Sequence, residues 1–271
     1  MIAFQFPLLQ PAEILALEEV LLDAAEAGEI GETLSFWESS TSFVALGYGN
    51  KVSTEVNQAA CERLKIPILR RISGGGTVLQ GPGVLNYSLV LRAGAGSPLV
   101  SITGANQFIM ERNAQALNKL LSVERGMRNA AWETLSIEPP TSNAERHIKL
   151  QVEVQGHTDL AIAGKKFSGN AQRRKRTHLL FHGSILLDAD LKLIEEVLPF
   201  PSLQPDYRQS RSHGNFLTQF PSSAEQVRKH LASAWSASPA VPEEIAKHKQ
   251  LLDRQRLLVA KYLSHEWNRR V

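Results

Sequence analysis

Apolar positions recur along this chain with two periods, and the places where the period changes divide it into helices and strands. Over 11–27, Ile14, Leu17 and Leu21 fall at helical spacing, Pro11 and Glu13 stand in the first turn, and Gly28 follows the end, which predicts a helix. Thr33-Leu34-Ser35-Phe36-Trp37 and Ser42-Phe43-Val44-Ala45-Leu46 are strand-like, with the turn-rich Glu38-Ser39-Ser40-Thr41 between them. Ser53 and Thr54 can cap a helix over 55–64, which leads into a short apolar run, Ile66-Pro67-Ile68-Leu69. A second run, Asn86 to Leu91, predicts the partner strand, so the glycines between the two occupy the connection of a strand pair.

Further on, a long amphipathic helix starts at Ser101 or Thr103 and carries Phe108, Ile109, Leu117, Leu120 and Leu121. A polar, proline-containing stretch over 132–147 reads as an extended surface segment. Three strand candidates follow at 148–154, 159–163 and 179–187, and then the pattern turns helical over 190–198, 223–236 and 242–267. Between the first two of these helices, 199–221 holds four prolines and few periodic apolar residues, so it reads as a long connector. The alternation of strands and helices makes this an α/β chain.

Composition narrows the class. With 271 residues, 43% hydrophobic and 21% charged, the chain can bury a sizeable core, which excludes a disordered protein. Its longest apolar runs are far shorter than a membrane span, and the N-terminus lacks the basic region of a signal peptide, so a cytosolic, non-membrane protein is expected. The single cysteine, Cys61, excludes an internal disulfide and a cysteine metal cluster. Placed inside a helix, it reads as a small buried hydrophobe. A net charge of +3 is modest, and Arg173-Arg174-Lys175-Arg176 is the main basic run with no stacking aromatics around it, which argues against a nucleic-acid binder.

Two stretches carry candidate chemistry. Arg70-Arg71-Ile72-Ser73-Gly74-Gly75-Gly76 combines cations and a hydroxyl with three glycines whose backbone N–H groups a ligand can approach closely, an anion-binding combination. It is neither a Walker A loop nor a Rossmann fingerprint, because no Gly-Lys-Ser/Thr closes it and no helix opens from a Gly-x-Gly-x-x-Gly. The second stretch, Gly164 to Gln172, places small residues around Lys165 and Lys166.

Taken together with Asn86-Tyr87-Ser88, Asp159-Leu160 and His182-Gly183-Ser184-Ile185-Leu186-Leu187, these motifs resemble the biotin/lipoate protein ligase superfamily, and within it the lipoate protein ligases. The resemblance implies an α+β catalytic domain with a mixed, largely antiparallel sheet flanked by helices. It implies a single domain over 1–271, helical from about 190 and with no separate accessory domain. By position, Lys166 would be the catalytic lysine at the carboxylate and α-phosphate of the activated acyl group. Arg71, Ser73, Gly74, Gly75, Gly76, Thr77, Val78, Asn86, Ser168, Gly169, Ala171 and His182 would line the substrate and nucleotide pocket, and Asp159 would sit near the nucleotide and bind Mg²⁺.

Two positions depart from the ligase pattern. Gln80-Gly81 stands where a His-Asp pair is common, and Tyr48 stands where ligases often carry an arginine, a position that favours octanoyltransferases. Octanoyltransferases of the superfamily, however, pass the acyl group through a cysteine placed near 151 or 179, and this chain has none there. The expected function is therefore an ATP- and Mg²⁺-dependent lipoate protein ligase that modifies a lysine of a lipoyl domain. The alternatives are an octanoyl or lipoyl transferase acting without ATP, or a non-catalytic lipoyl-carrier binding module. Partners implied are a 2-oxoacid dehydrogenase E2 or glycine cleavage H protein, with a possible accessory subunit, and the basic run at 173–176 is expected to dock the acceptor.

Overall fold

The computed structural model describes residues 1–5, 9–135, 150–239 and 242–270. In chain order, β1 (Ile2–Gln5), α1 (Pro11–Glu26), β2 (Thr33–Trp37) and β3 (Phe43–Leu46) lead to the short helices α2 (Val52–Glu55) and α3 (Gln58–Arg63). Next come β4 (Ile68–Arg70), β5 (Val78–Gln80), β6 (Val84–Arg92) and the long α4 (Ile102–Leu135). Strands β7 (Val152–Gln155), β8 (Asp159–Ile162), β9 (Lys165–Arg174) and β10 (His178–Leu186) precede α5 (Leu191–Val197), α6 (His213–Phe216) and α7 (Ala224–Ala234). The chain closes with β11 (Ser238–Pro239), α8 (Pro242–Leu263) and α9 (His265–Asn268).

The expected mixed, largely antiparallel sheet flanked by helices is what forms. Eight strands run in the order β11-β1-β2-β6-β10-β9-β8-β7, parallel only at the β11-β1-β2 edge, and β4-β3-β5 make a small second sheet. Because side chains alternate across a strand, β6 sends Leu85, Tyr87, Leu89 and Leu91 into one core with α4 and α7, joined by Leu179 and Phe181 of β10. Val90 and Leu180, paired across the same two strands, turn the other way and pack under α1 and α8. On that second face the pattern then becomes polar: Ser88 stands opposite His182 and Asn86 opposite Ser184. Buried polar side chains on a core face mark where the interior changes from packing to chemistry.

Several expectations change. The strands flanking the glycines are not partners, since β4 and β5 both pair with β3 and β6 belongs to the large sheet. The predicted helix over 55–64 is broken in two, because Asn57 stops one helix and its side chain accepts the Ala60 N–H to start the next. Helix α4 runs on through 132–135, and the rest of the extended segment expected over 132–147, like residues 148 and 149, lies outside the described residues. The connector at 199–221 is packed: Arg208 stacks between Phe200 and Phe216, the Thr218 N–H donates to the Lys166 carbonyl, and Phe220 N–H donates to the Leu186 carbonyl. Among the described residues no helix is long and apolar enough to cross a membrane.

The glycine-rich loop is held from below by Arg70, whose side chain is fully buried. Its guanidinium donates to the carbonyls of Gly47, Tyr48, Asn50, Trp267 and Asn268 at 2.8–3.2 Å, tying α9 to the loop region. Replacing it leaves five carbonyls short of a donor, and those of Gly47 and Asn268, whose bonds are buried, cost about 1–3 kcal/mol each. Arg70→Met is expected to lower stability by about 3 kcal/mol or more in urea unfolding, and a loss under about 1 kcal/mol would show that α9 docks by apolar packing alone.

Candidate active site

A cavity of about 500 Å³ opens on the polar face of the sheet, within the size range of small-molecule sites. Leu15 from α1, Trp37 from β2, Ala45 from β3 and Val78 from β5 give it an apolar wall. Asp159 and Lys166 from β8 and β9, His182 and Ser184 from β10, and Asn86 from β6 give it polar groups. Gly169 and Ala171, opposite Ser184 and His182 in register, keep β9 low enough for the space to exist.

Lys166 reaches this face through an irregularity in strand pairing. Leu160 pairs with Ser168 but Ala161 pairs with Lys166, so Phe167 is the extra residue of a β-bulge. The bulge turns Phe167 into the core and puts Lys166 on the same side as Asp159, where regular alternation would have exchanged them. The tight turn feeding β9 uses two left-handed residues, Ala163 (φ 50°) and Gly164 (φ 71°). Lys166 Nζ then lies 2.8 Å from Asp159 Oδ1, and Tyr207 from the connector donates to Asp159 Oδ2 at 2.8 Å. The lysine stretches over Gly169, where a Cβ would stand 2.8 Å from Nζ, so any side chain there would displace the cation. Burial, the Asp159 charge and the bond to it raise the Tyr207 pKa, keeping it a donor.

A buried relay shapes the other side. Arg71 Nε donates to Ser73 Oγ at 2.9 Å, Ser73 Oγ meets His182 Nε2 at 2.6 Å, and His182 Nδ1 meets Glu18 Oε2 at 2.8 Å. The serine oxygen accepts from arginine and shares a second hydrogen bond with Nε2, while Nδ1 is bonded to the Glu18 carboxylate. The remaining Arg71 donors go to the carbonyls of Ala45, Gly74 and Gly76 at 2.6–2.9 Å, folding the glycine loop around the guanidinium. Gly75, with φ at 86°, takes the left-handed step this curl requires. Burial lowers the Arg71 pKa to about 10, partly opposed by Glu18, and the side chain stays charged at neutral pH. Burial would raise Glu18, but the attraction of His182 and hydrogen bonds from His182 and Ser88 outweigh it and hold the carboxyl below its ordinary value.

Of the residues expected at the site, Arg71, Gly75, Gly76, Thr77, Val78, Asn86, Asp159, Lys166, Gly169, Ala171 and His182 line the cavity. Ser73 and Ser168 are buried behind its wall, and Gly74 is exposed outside it. Arg71 lines the cavity while donating to Ser73 and to the carbonyls of Ala45, Gly74 and Gly76, so it also builds the wall. Asp159 has one oxygen on Lys166 and the other on Tyr207, and no group of three potential metal ligands occurs among the described residues. The basic run at 173–176 is divided: Arg174 donates to the carbonyls of Leu99 and Val100, Lys175 pairs with Asp23, and the exposed Arg173 lies over the Tyr48 ring, 5.2 Å from its centroid. Glu18 and Tyr207 were not legible as site residues. Glu18 sits in a helix otherwise read as packing, although a buried acid on its apolar face was the available signal.

The family model of the lipoyl protein ligase A/B catalytic domain matches residues 10–236. The chain belongs to that family. Among relatives, it is 25% identical to "Octanoyltransferase LipM" of Halalkalibacterium halodurans, over 95% of this chain and 94% of that one. It is 28% identical to the protein of the same name from Kyrpidia tusciae, over 94% of this chain and 93% of that one. In fold it is similar to the bi-partite lipoate protein ligase of Thermoplasma acidophilum, with TM-score 0.68 and 20% identity over 98% of this chain and 94% of that one. These relatives overturn the expectation of an ATP-dependent ligase, because the sequences that match nearly end to end carry the name of a transferase.

The Glu18–His182 pair sets an acid limit on this domain. With its folded pKa below the ordinary 4.5, Glu18 contributes stability that is fully present above that value and is lost as the pH falls through the lower folded value. Glu18→Gln is expected to cost about 2–3 kcal/mol at pH 7 and to remove that acid-side loss, read from unfolding at pH 7 and in the acid range. Parallel pH profiles for the two proteins would contradict the pairing.

Proposed function

We propose that this protein transfers a medium-chain acyl group, octanoyl by the name its relatives carry, from an activated thioester donor to the ε-amine of a lysine on an acceptor protein, without ATP. The observation that carries this reading is the cavity, which sets a fixed cation, Lys166, beside a wall of Leu15, Trp37, Ala45 and Val78. An unbranched acyl chain has no polar atoms beyond its carbonyl, and burying each methylene against such a wall is worth about 0.8 kcal/mol. The carbonyl then lies at the polar end, where Lys166 stabilises the negative oxygen of the tetrahedral intermediate. Asp159 and Tyr207 keep that ammonium in place.

ATP has no step to perform in this scheme, since a thioester is already activated toward an amine. The lack of a cysteine in the cavity, which favoured a ligase on sequence grounds, bears on the route of the acyl group and not on its source of activation. The acceptor fits a lipoyl domain, whose exposed lysine is the amine the chemistry needs.

The test is incubation with octanoyl acyl carrier protein and an apo lipoyl domain, read by intact mass. Octanoylation of the domain should proceed equally with and without ATP, and Lys166→Ala should slow it about 10²–10³-fold with an unchanged unfolding transition. A strict ATP requirement, or a Lys166→Ala protein as fast as wild type, would contradict the reading.

A further inference from the structure

Outside the cavity, cations and aromatic rings alternate in one continuous stack. Lys261 Nζ lies 4.1 Å from the centre of the Trp267 ring, and the Arg270 guanidinium lies 4.9 Å from that ring and 4.3 Å from the Tyr48 ring. Arg173 ends the stack, 5.2 Å from the Tyr48 ring. The Tyr48 N–H donates to the Ser73 carbonyl, so the stack stands beside the glycine loop. We propose that its arginine end is a docking patch for the protein that delivers the acyl group, a small acidic carrier that presents its thioester on a flexible arm. This rests on the transferase reading and names its donor partner.

The charge of the stack is uneven. At one end Lys261 pairs with Glu19 at 2.6 Å. At the other, Arg173 and Arg270 are exposed, and neither has a carboxylate partner among the described residues. Arg270 also stands close enough to the buried Arg70 to add to the lowering of its pKa, after the larger effect of burial, so a third cation lies behind the two. Guanidinium groups gathered in this way create a positive field that draws in an acidic surface. The ring contacts and a 2.7 Å bond from Arg270 Nη2 to the Tyr48 hydroxyl hold the side chains in place, so docking has little left to order.

Nucleic acid is the other common polyanion, but a base needs an open ring face to stack on. Trp267 is already stacked with Lys261 and Arg270, and Tyr48 with Arg173 and Arg270. A protein surface is the better fit.

Position favours the donor over the acceptor. Arg173 shares its strand face with Ala171, which lines the cavity, while Lys166 stands roughly 20 Å from Arg173 along β9, at about 3.3 Å per residue. A partner anchored at Arg173 therefore reaches Lys166 by an extended arm, which a carrier supplies and a lysine side chain does not. Of the basic run at 173–176 expected to meet the acceptor, Arg173 alone joins the stack.

Octanoyl acyl carrier protein and octanoyl pantetheine, the same thioester without the protein, separate docking from chemistry. With the carrier as donor, the double variant Arg173→Ser, Arg270→Ser should raise the donor KM at least fivefold at low salt, with kcat and the acceptor KM within twofold. Its kcat/KM should also lose most of the decline with added salt that wild type shows, since rim charges mainly steer association. With octanoyl pantetheine the two proteins should match within twofold. A folded double variant with an unchanged carrier KM would overturn the patch, and so would an equal loss with octanoyl pantetheine, which would make the stack a support for the cavity. A rise in the acceptor KM alone would overturn the donor assignment. If the double variant does not fold, Arg173→Ser by itself should still raise the carrier KM at least twofold, and an unchanged value overturns the patch. A DNA duplex that displaces the carrier at equal concentration would give the surface to nucleic acid instead. No transfer from either donor would overturn the transferase reading, and the donor patch with it.

Discussion

Two adjacent buried guanidinium groups set the shape of this site. Arg70 and Arg71 leave β4 on opposite sides, and each is surrounded by backbone carbonyls: Arg70 by those of the 47–50 turn and of α9, Arg71 by those of Ala45, Gly74 and Gly76. A buried cation without partners costs far more than a protein's net stability, so the chain around it has to present oxygens. Three glycines in a row permit that inward curl, and the curl leaves Gly75, Gly76 and Thr77 on the cavity wall. The loop looks like a ligand-binding nest in sequence because both jobs require glycine. Here its carbonyls face its own arginine.

The same constraint runs on through Ser73 and His182 to Glu18, so that α1, the loop and β10 are joined by one chain of hydrogen bonds. A relay whose charged ends are both buried tolerates little movement, because loosening one contact strands a charge. This rigid side faces a differently built one. Lys166 and Asp159 are held by a strand bulge, a tight turn and a tyrosine from the 199–221 connector, and the lysine side chain is about a quarter exposed, with relative accessibility 26%. The molecule thus opposes a fixed wall to a cation with access to ligand, the arrangement needed to stabilise charge that appears only during reaction.

Much of this was legible in the chain. The periodicity of 11–27, the strands at 33–37 and 43–46 and the buried placement of Cys61 follow from local patterns that tertiary packing reinforces. The motif residues at 71–78, 159–171 and 182 converge on one cavity because they sit at paired positions of β8, β9, β10 and the loop. Three things were hidden. Strand partnership around the glycines depends on β3, which no local pattern names. The bulge at Phe167 is a matter of register, invisible without the partner strand. Glu18 lies 56 positions before Gly74 and Tyr207 lies 41 after Lys166, in segments that read as packing helix and connector, and only the folded chain brings them in. Reading the missing cavity cysteine as a sign of ATP use failed for a chemical reason: it confused the need for activation with the need for a covalent relay.

All of this converges on one geometric claim, that the acyl chain lies along Leu15, Trp37, Ala45 and Val78 with its carbonyl at Lys166. A crystal structure with an octanoyl ketone in which a methylene replaces the thioester sulfur would locate that carbonyl directly. The account predicts the carbonyl oxygen within hydrogen-bond distance of Lys166 Nζ, about 2.7–3.2 Å, and the alkyl chain on the apolar wall. An analogue bound with its carbonyl away from Lys166, or with its chain off that apolar wall, would contradict it.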